Sequence, residues 1–87
     1  HLTKQLAGEL GLTRVVGIAP GLVQTDFAQM LVDNYGETLA KRLPTKRLGV
    51  PQDIANLATF LASDLASWMT GETYLIDGGA GVSAGGM

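Results

Sequence analysis

The sequence predicts an α/β fold in which two short strands, joined through helices, lie parallel in one sheet. Three observations predict it. Arg14 to Ala19 (R-V-V-G-I-A) is a short apolar, β-branched run stopped by Pro20-Gly21, the pattern of a buried strand. Thr73 to Ile76 is a second compact strand, set between Gly71 and the turn Asp77-Gly78-Gly79. Between them Ile54, Leu57, Ala58, Leu61 and Ala62 recur at i, i+3, i+4, i+7 and i+8, one apolar face of a helix. Strands connected through a helix lie parallel with a right-handed crossover. Two strands alone cannot make a doubly wound sheet, and buried runs such as Val15 to Ala19 need helices on both faces. The pattern asks for more sheet than 87 residues contain.

The elements follow in order. Leu2, Leu6 and Leu10 recur at i, i+4 and i+8, with Lys4, Gln5 and Glu9 on other faces, so a helix is expected over 2–10, closed by Gly11. No Ser, Thr, Asp or Asn precedes Leu2, and a helix without a capped start leads us to expect further sequence upstream of His1. The strand is expected over 14–19. Helices are expected within 26–43: a first to about Asn34, carrying Phe27, Met30 and Leu31 and capped by Thr25 or Asp26, then an interruption at Gly36 and a second from Glu37 to Leu43. After a loop, a helix is expected over 51–64, with Pro51 in its first turn and Asp53 near the positive end of its dipole. The strand 73–76 closes the unit, so 1–79 form one domain part and 80–87 a flexible glycine-rich tail.

Composition narrows the function classes. The net charge of −2 argues against nucleic acid as a partner. With no cysteine and His1 as the only histidine, neither a disulfide framework nor a structural zinc site is expected. No apolar stretch approaches the roughly 18 residues of a membrane span, and no charged-then-apolar leader is present. A protein without membrane contact, cytoplasmic by default, is the expectation.

Four segments carry a resemblance. V-V-G-I-A-P-G-L-V-Q-T (Val15 to Thr25) resembles the sixth strand and following loop of the short-chain dehydrogenase/reductase family. L-T-K-Q-L-A-G-E-L (Leu2 to Leu10) is similar to the second half of the helix that follows that family's catalytic tyrosine and lysine. R-L-G-V-P-Q-D-I-A-N-L-A-T-F-L-A-S-D (Arg47 to Asp64) and T-G-E-T-Y-L-I-D-G-G (Thr70 to Gly79) continue the match in the same order.

The resemblance implies the C-terminal fragment of a Rossmann-type doubly wound parallel sheet. It also implies an oxidoreductase that moves hydride between a nicotinamide and a small alcohol or ketone, with NAD or NADP as cofactor. The family's tyrosine acid/base, its lysine, its substrate-orienting serine and its glycine-rich phosphate turn would all precede His1. Tyr35 and Tyr74 lack a lysine four residues on, so no catalytic residue is assigned and the isolated chain is expected to be inactive.

By the same resemblance Pro20 and Gly21 lay main chain against the nicotinamide ring, the Val23 backbone bonds the carboxamide, and the Thr25 hydroxyl reaches the carboxamide or the pyrophosphate. Glycine suits close approach because it lacks a Cβ. The site would lie beyond the carboxyl end of a parallel strand, where open α/β sheets bind ligands. Residues 26–43 would form the substrate lid, lined by Phe27, Met30 and Leu31. A homo-oligomer would form through the 51–64 helix and the 73–76 strand.

Plainer readings stand beside these. Thr25 serves equally as a helix cap, and the Phe27, Met30 and Leu31 face equally as core. Lys41, Arg42, Lys46 and Arg47 suit a solvated loop or, alternatively, contact with an anionic thioester carrier. The whole chain could be a non-catalytic oligomerisation module whose edge strand pairs with a partner.

Two apparent motifs are rejected. G-A-G-V-S-A (Gly79 to Ala84) is not expected to be a dinucleotide fingerprint, which needs a helix after it and an acidic residue about 20 positions on. G-V-S-A-G (Gly81 to Gly85) lacks the downstream Asp and His of a hydrolase elbow. Gly17 departs from the asparagine common in the family, and is expected to leave an open spot in the strand.

Overall fold

The computed structural model of the chain describes residues 1–25 and 29–82. Helix α1 (Leu2–Leu10) leads to strand β1 (Gly17–Pro20), helix α2 (Gln29–Arg42), helix α3 (Pro51–Ala62) and strand β2 (Thr73–Ile76). Short 3₁₀ turns lie at Asp64–Ala66 and Ala80–Val82. The strands form a two-stranded parallel sheet in the register Gly17↔Thr73, Ile18↔Tyr74, Ala19↔Leu75 and Pro20↔Ile76.

The first strand is shifted from the expected 14–19. It begins at Gly17 because Val15 bonds the turn before β2: its N–H donates to Thr70 Oγ1 (3.0 Å) and its carbonyl accepts from Gly71 N–H (2.8 Å). It includes Pro20 because the donors toward β2 are the residues on either side of the alternation. Gly17 N–H reaches Glu72 O and Gly21 N–H reaches Ile76 O, both at 3.0 Å. The Pro20 nitrogen therefore faces the other edge, where its missing hydrogen breaks no bond to β2. Nor does Gly17 leave an open spot. A Cβ there would stand 2.7 Å from Thr73 Oγ1 and 3.1 Å from Thr3 Oγ1, so the two hydroxyls already fill the space.

Helix α1 does not turn its leucine stripe inward. Leu2 and Leu10 are exposed, Leu6 is half-buried, and Ala7 is the buried residue. Ala7 packs on Gly71, whose φ of 82° suits glycine. A Lys4–Glu72 ion pair at 2.5 Å ties the helix to the entrance of β2.

Helix α2 runs unbroken through Gly36, where the sequence suggested an interruption. Gly36 is buried, and a Cβ on it would lie 3.3 Å from Val32 Cγ1 and 3.7 Å from Leu48 Cδ1. A Cβ there would crowd Val32, one turn earlier, while meeting Leu48 at ordinary contact distance. Helix α3 ends at Ala62 instead of 64, because Ser63 turns the chain. The Ser63 hydroxyl donates to Phe60 O (2.6 Å) and accepts Leu65 N–H (3.2 Å), starting the 3₁₀ turn.

Among the described residues the buried apolar side chains are Ala7, Leu48, Leu61 and Ala66. Leu12 and Trp68 are 104% and 99% exposed, and Leu65, Leu75 and Met30 are also open. Each large apolar side chain left in water forgoes about 1.5–3 kcal/mol of burial. Among the described residues, more large apolar side chains are exposed than fully buried. No helix among the described residues is long and apolar enough to cross a membrane.

Candidate functional site

A cleft of about 210 Å³ opens at the carboxyl ends of both strands. Leu22 and Val23 supply one wall, following β1, while Ile76, Asp77 and Gly78 supply a second, following β2. The third is the loop before α3 and the start of that helix: Thr45, Arg47, Gly49, Asp53 and Ile54.

Missing side chains bring these segments together. A Cβ on Gly21 would lie 2.8 Å from Asp77 Cα and Cβ, so glycine is required where the two strand exits touch. The sequence reading gave Gly21 a bare surface for a ligand ring; the packing gives it a different first cause, the Asp77 main chain. Gly78 and Gly79 have φ of 66° and 91°, the left-handed region that favours glycine. A Cβ on Gly79 would come within 2.6 Å of Pro44 Cγ, and one on Gly78 within 2.7 Å of Thr45 Oγ1. Thr45 N–H donates to Gly78 O at 3.2 Å, locking the turn to the loop. The Asp77 carboxylate holds the turn from below, accepting Gly79 N–H on Oδ1 (2.9 Å) and Gly81 N–H on Oδ2 (3.0 Å).

Val23 forms an isolated parallel bridge with Gly49. The bonds of that bridge belong to its neighbours: Gly49 N–H donates to Leu22 O (3.2 Å) and Gln24 N–H to Gly49 O (2.8 Å). In a parallel bridge the central residue's own N–H and C=O point the other way. Among the described residues neither group of Val23 has a hydrogen-bond partner.

Arg47 and Asp53 form a two-pronged ion pair, Nη1 to Oδ2 at 2.8 Å and Nη2 to Oδ1 at 3.0 Å. Asp53 Oδ2 also accepts Val50 N–H (2.8 Å), and Asp53 N–H donates to Val50 O (2.9 Å). The residue before the helix is a valine without a capping side chain, so the carboxylate three residues in satisfies that end. The Arg47 guanidinium, then the Val50 amide, hold the Asp53 carboxyl at about 2, well below its ordinary 3.8. The same bond and charge raise the Arg47 pKa.

The expected site residues are brought together only in part. Val23 lines the cleft, and Gly21 supports it from behind. Pro20 and Thr25 are exposed and outside the lining, Pro20 as the last residue of β1. Met30 and Leu31 lie exposed on α2, outside the cleft lining, and Phe27 lies outside the described residues. Of the basic residues, Arg47 is taken by Asp53, while Lys46 Nζ donates to Lys41 O at 2.9 Å.

Sequence reasoning missed the Arg47–Asp53 pair and the Gly49 bridge. The acidic residue three places into a proline-started helix was the available signal for the first; nothing in the sequence marked the second. No group of side chains suited to a metal ion occurs among the described residues.

Residues 1–81 match the family described as Enoyl-(Acyl carrier protein) reductase. The chain is 47% identical over 81 residues to a 3alpha-hydroxysteroid dehydrogenase of Mediterraneibacter gnavus, a match covering 91% of this chain and 32% of the relative. It is 44% identical over 79 residues to a 3-oxoacyl-acyl-carrier-protein reductase of Chlamydia pneumoniae, with 88% and 32% covered.

Among solved structures it is similar to a short-chain dehydrogenase/reductase from Brucella melitensis, with a TM-score of 0.85 and 39% identity over 90% of this chain and 32% of that one. It is also similar to 4-hydroxyisoleucine dehydrogenase complexed with NADH, with a TM-score of 0.82 and 36% identity over 90% and 34%. The chain spans about a third of the length of the curated relatives it matches.

Proposed function

Because this chain belongs to the short-chain dehydrogenase/reductase family, we propose that its cleft is the nicotinamide side of an NAD(P) site in an oxidoreductase acting on a small alcohol or ketone. The observation that carries the reading is the Val23 peptide. Val23 lines the cleft and is held there by its neighbours' bonds to Gly49, while its own N–H and C=O point away from Gly49 and have no partner among the described residues. Val23 is half-buried, so its two polar groups are within reach of a ligand entering the cleft. A carboxamide carries one donor and one acceptor and complements that peptide, which would fix which face of the ring meets the substrate.

When bound, the nicotinamide supplies or accepts the hydride. Residues of this chain bind and orient. Val23 takes the carboxamide, and Gly21 keeps the strand exits close enough to hold the Val23 wall in place. Pro20 ends the strand beside the ring, and Thr25 follows two residues past the bridge. Met30 and Leu31, exposed on α2, would serve as an apolar lid over the substrate. No residue from 1 to 87 is assigned proton transfer, since neither Tyr35 nor Tyr74 is followed by lysine at the fourth position.

The test pairs the isolated chain with the complete polypeptide that carries it. The complete protein is expected to oxidise or reduce nicotinamide with a small alcohol or ketone, and residues 1–87 alone to show no turnover. Turnover by the isolated chain would overturn the reading.

A second reading concerns assembly. Leu75 on β2, Phe60 on α3 and Leu65 in the following turn are exposed apolar side chains, and they support a self-association face built from α3 and β2. Sedimentation of Phe60→Ser and Leu75→Ser variants is expected to show a smaller species than the parent.

A further inference from the structure

The Val23 wall is held from one side by Gly49, and Gly49 is itself held by a clip. Arg47 and Val50 stand on either side of it in sequence, and one carboxylate takes both. Asp53 accepts two guanidinium hydrogens and the Val50 N–H, at 2.8–3.0 Å. Arg47 Nη1 also donates to Leu48 O (3.2 Å), and Leu48 is buried beneath α2. Gly49 lies against this wall: a Cβ on it would sit at ordinary contact distance, 3.4 Å from Leu22 O and 3.5 Å from Val23 Cγ2. The bridge bonds then pass the loop's position on to Leu22 and Gln24, on either side of Val23.

We propose that Asp53, with Arg47, is a positioning pair for nicotinamide recognition: acting through Gly49, it sets where the Val23 peptide presents its N–H and C=O. The proposal rests on the reading of the cleft as a nicotinamide site. It gives the pair a role distinct from capping α3. An isolated helix cap would serve the helix wherever Val23 lay; here the same carboxylate is two links from the ligand-facing peptide. Paired guanidinium and carboxylate forks also restrict orientation as well as distance, which suits a positioning role. The side chains would act without bonding the nicotinamide themselves.

The role makes a prediction that simple stabilisation does not. Val23 faces only the nicotinamide half of a dinucleotide, so loosening the clip should weaken a ligand containing that half and spare one lacking it. The experiment measures binding of reduced NAD(P) and of ADP-ribose, or its 2′-phosphate, by calorimetry to the complete polypeptide. The parent is compared with Asp53→Asn, Asp53→Glu and Arg47→Lys.

Asp53→Asn is expected to weaken the dinucleotide about tenfold, the scale of one or two lost hydrogen bonds, and to leave ADP-ribose binding unchanged. Asp53→Glu, which keeps a carboxylate at a position where glutamate is a natural cap, should recover most of the loss. Arg47→Lys keeps the charge but loses the fork; it should fall between, and it serves where Asp53→Asn does not fold.

Hydrogen exchange at the Gln24 and Gly49 amides supplies a readout without ligand, and both should exchange faster in Asp53→Asn. Equal weakening of both ligands would overturn the proposal and leave a structural cap. Unchanged dinucleotide binding alongside faster exchange would also overturn it. A parent polypeptide that binds neither ligand would instead sink the nicotinamide reading on which the proposal stands, and the exchange data would still show whether Asp53 holds Gly49.

Discussion

At the scale of single residues, much of the cleft depends on atoms that are absent. Gly21 looked like a surface for a ring, but the contact that forbids a side chain there is with Asp77. Gly21→Ala is therefore expected to push the two strand exits apart and cost about 1–3 kcal/mol, as overpacking does, read as a lower urea midpoint with no ligand present. Charge acts at the same scale. The Asp53 carboxyl, held at about 2 against an ordinary 3.8, contributes stability that is fully present above the ordinary value and is lost as pH falls through the folded one. Glu72, lowered by its bond and charge with Lys4, behaves in the same direction. Acid unfolding should thus show a component between about pH 4 and 2 that is reduced in Asp53→Asn, where the Glu72 contribution remains. An unchanged acid profile in that variant would count against the ion pair's contribution. Val23 was legible in the sequence only through resemblance, because nothing in the letters G-L-V-Q says which peptide bonds stay unpaired.

Among the elements, local pattern and tertiary packing disagree at instructive places. The leucine stripe of α1 has clear helical spacing, yet Ala7 is the residue that meets the body of the unit. Periodicity reports that a helix has an apolar side; it does not report which neighbour is on hand to cover it. Gly36 misled in the opposite way. Read as a breaker, it is a buried helical residue where a Cβ would crowd Val32. The strand run of 14–19 was legible as a strand, but its ladder begins where Thr70 and Gly71 stop engaging Val15. The clip between Arg47 and Asp53 joins a loop to a helix start, a contact that neither helical nor strand period encodes. A paired substitution checks the account of the glycines. Gly8→Ala, with open space around its Cβ, is expected to stabilise by about 1 kcal/mol through helix propensity. Gly36→Ala should gain less or lose, because Val32 Cγ1 lies 3.3 Å away. Thermal denaturation of the two variants, side by side, decides it; an equal gain in both would remove the packing explanation.

For the molecule as a whole, the exposed apolar side chains set the behaviour. Trp68 is the single tryptophan of the chain and is 99% exposed, so it reports on whatever comes to cover that side. The isolated chain should emit as a fully hydrated indole, and the complete polypeptide or an associated form should shift that emission to shorter wavelength. Identical spectra would mean that Trp68 stays in water in every form. The α/β class was readable because two apolar runs and an intervening amphipathic helix leave few topologies open. The parallel pairing was readable too, since both apolar runs contribute to the two-stranded sheet.

Pro20 carries a last consequence. Its nitrogen faces the side of β1 away from β2, so a third strand running along that side would find a donor at Ile18 and none at the next outward position. Like the end-stop of a zip fastener, the ring would halt such pairing one step short of the turn. Two strands could start out zipped together and still be forced to part at that level, so a fissure at the sheet's rim would be written into the covalent chemistry of one imino acid.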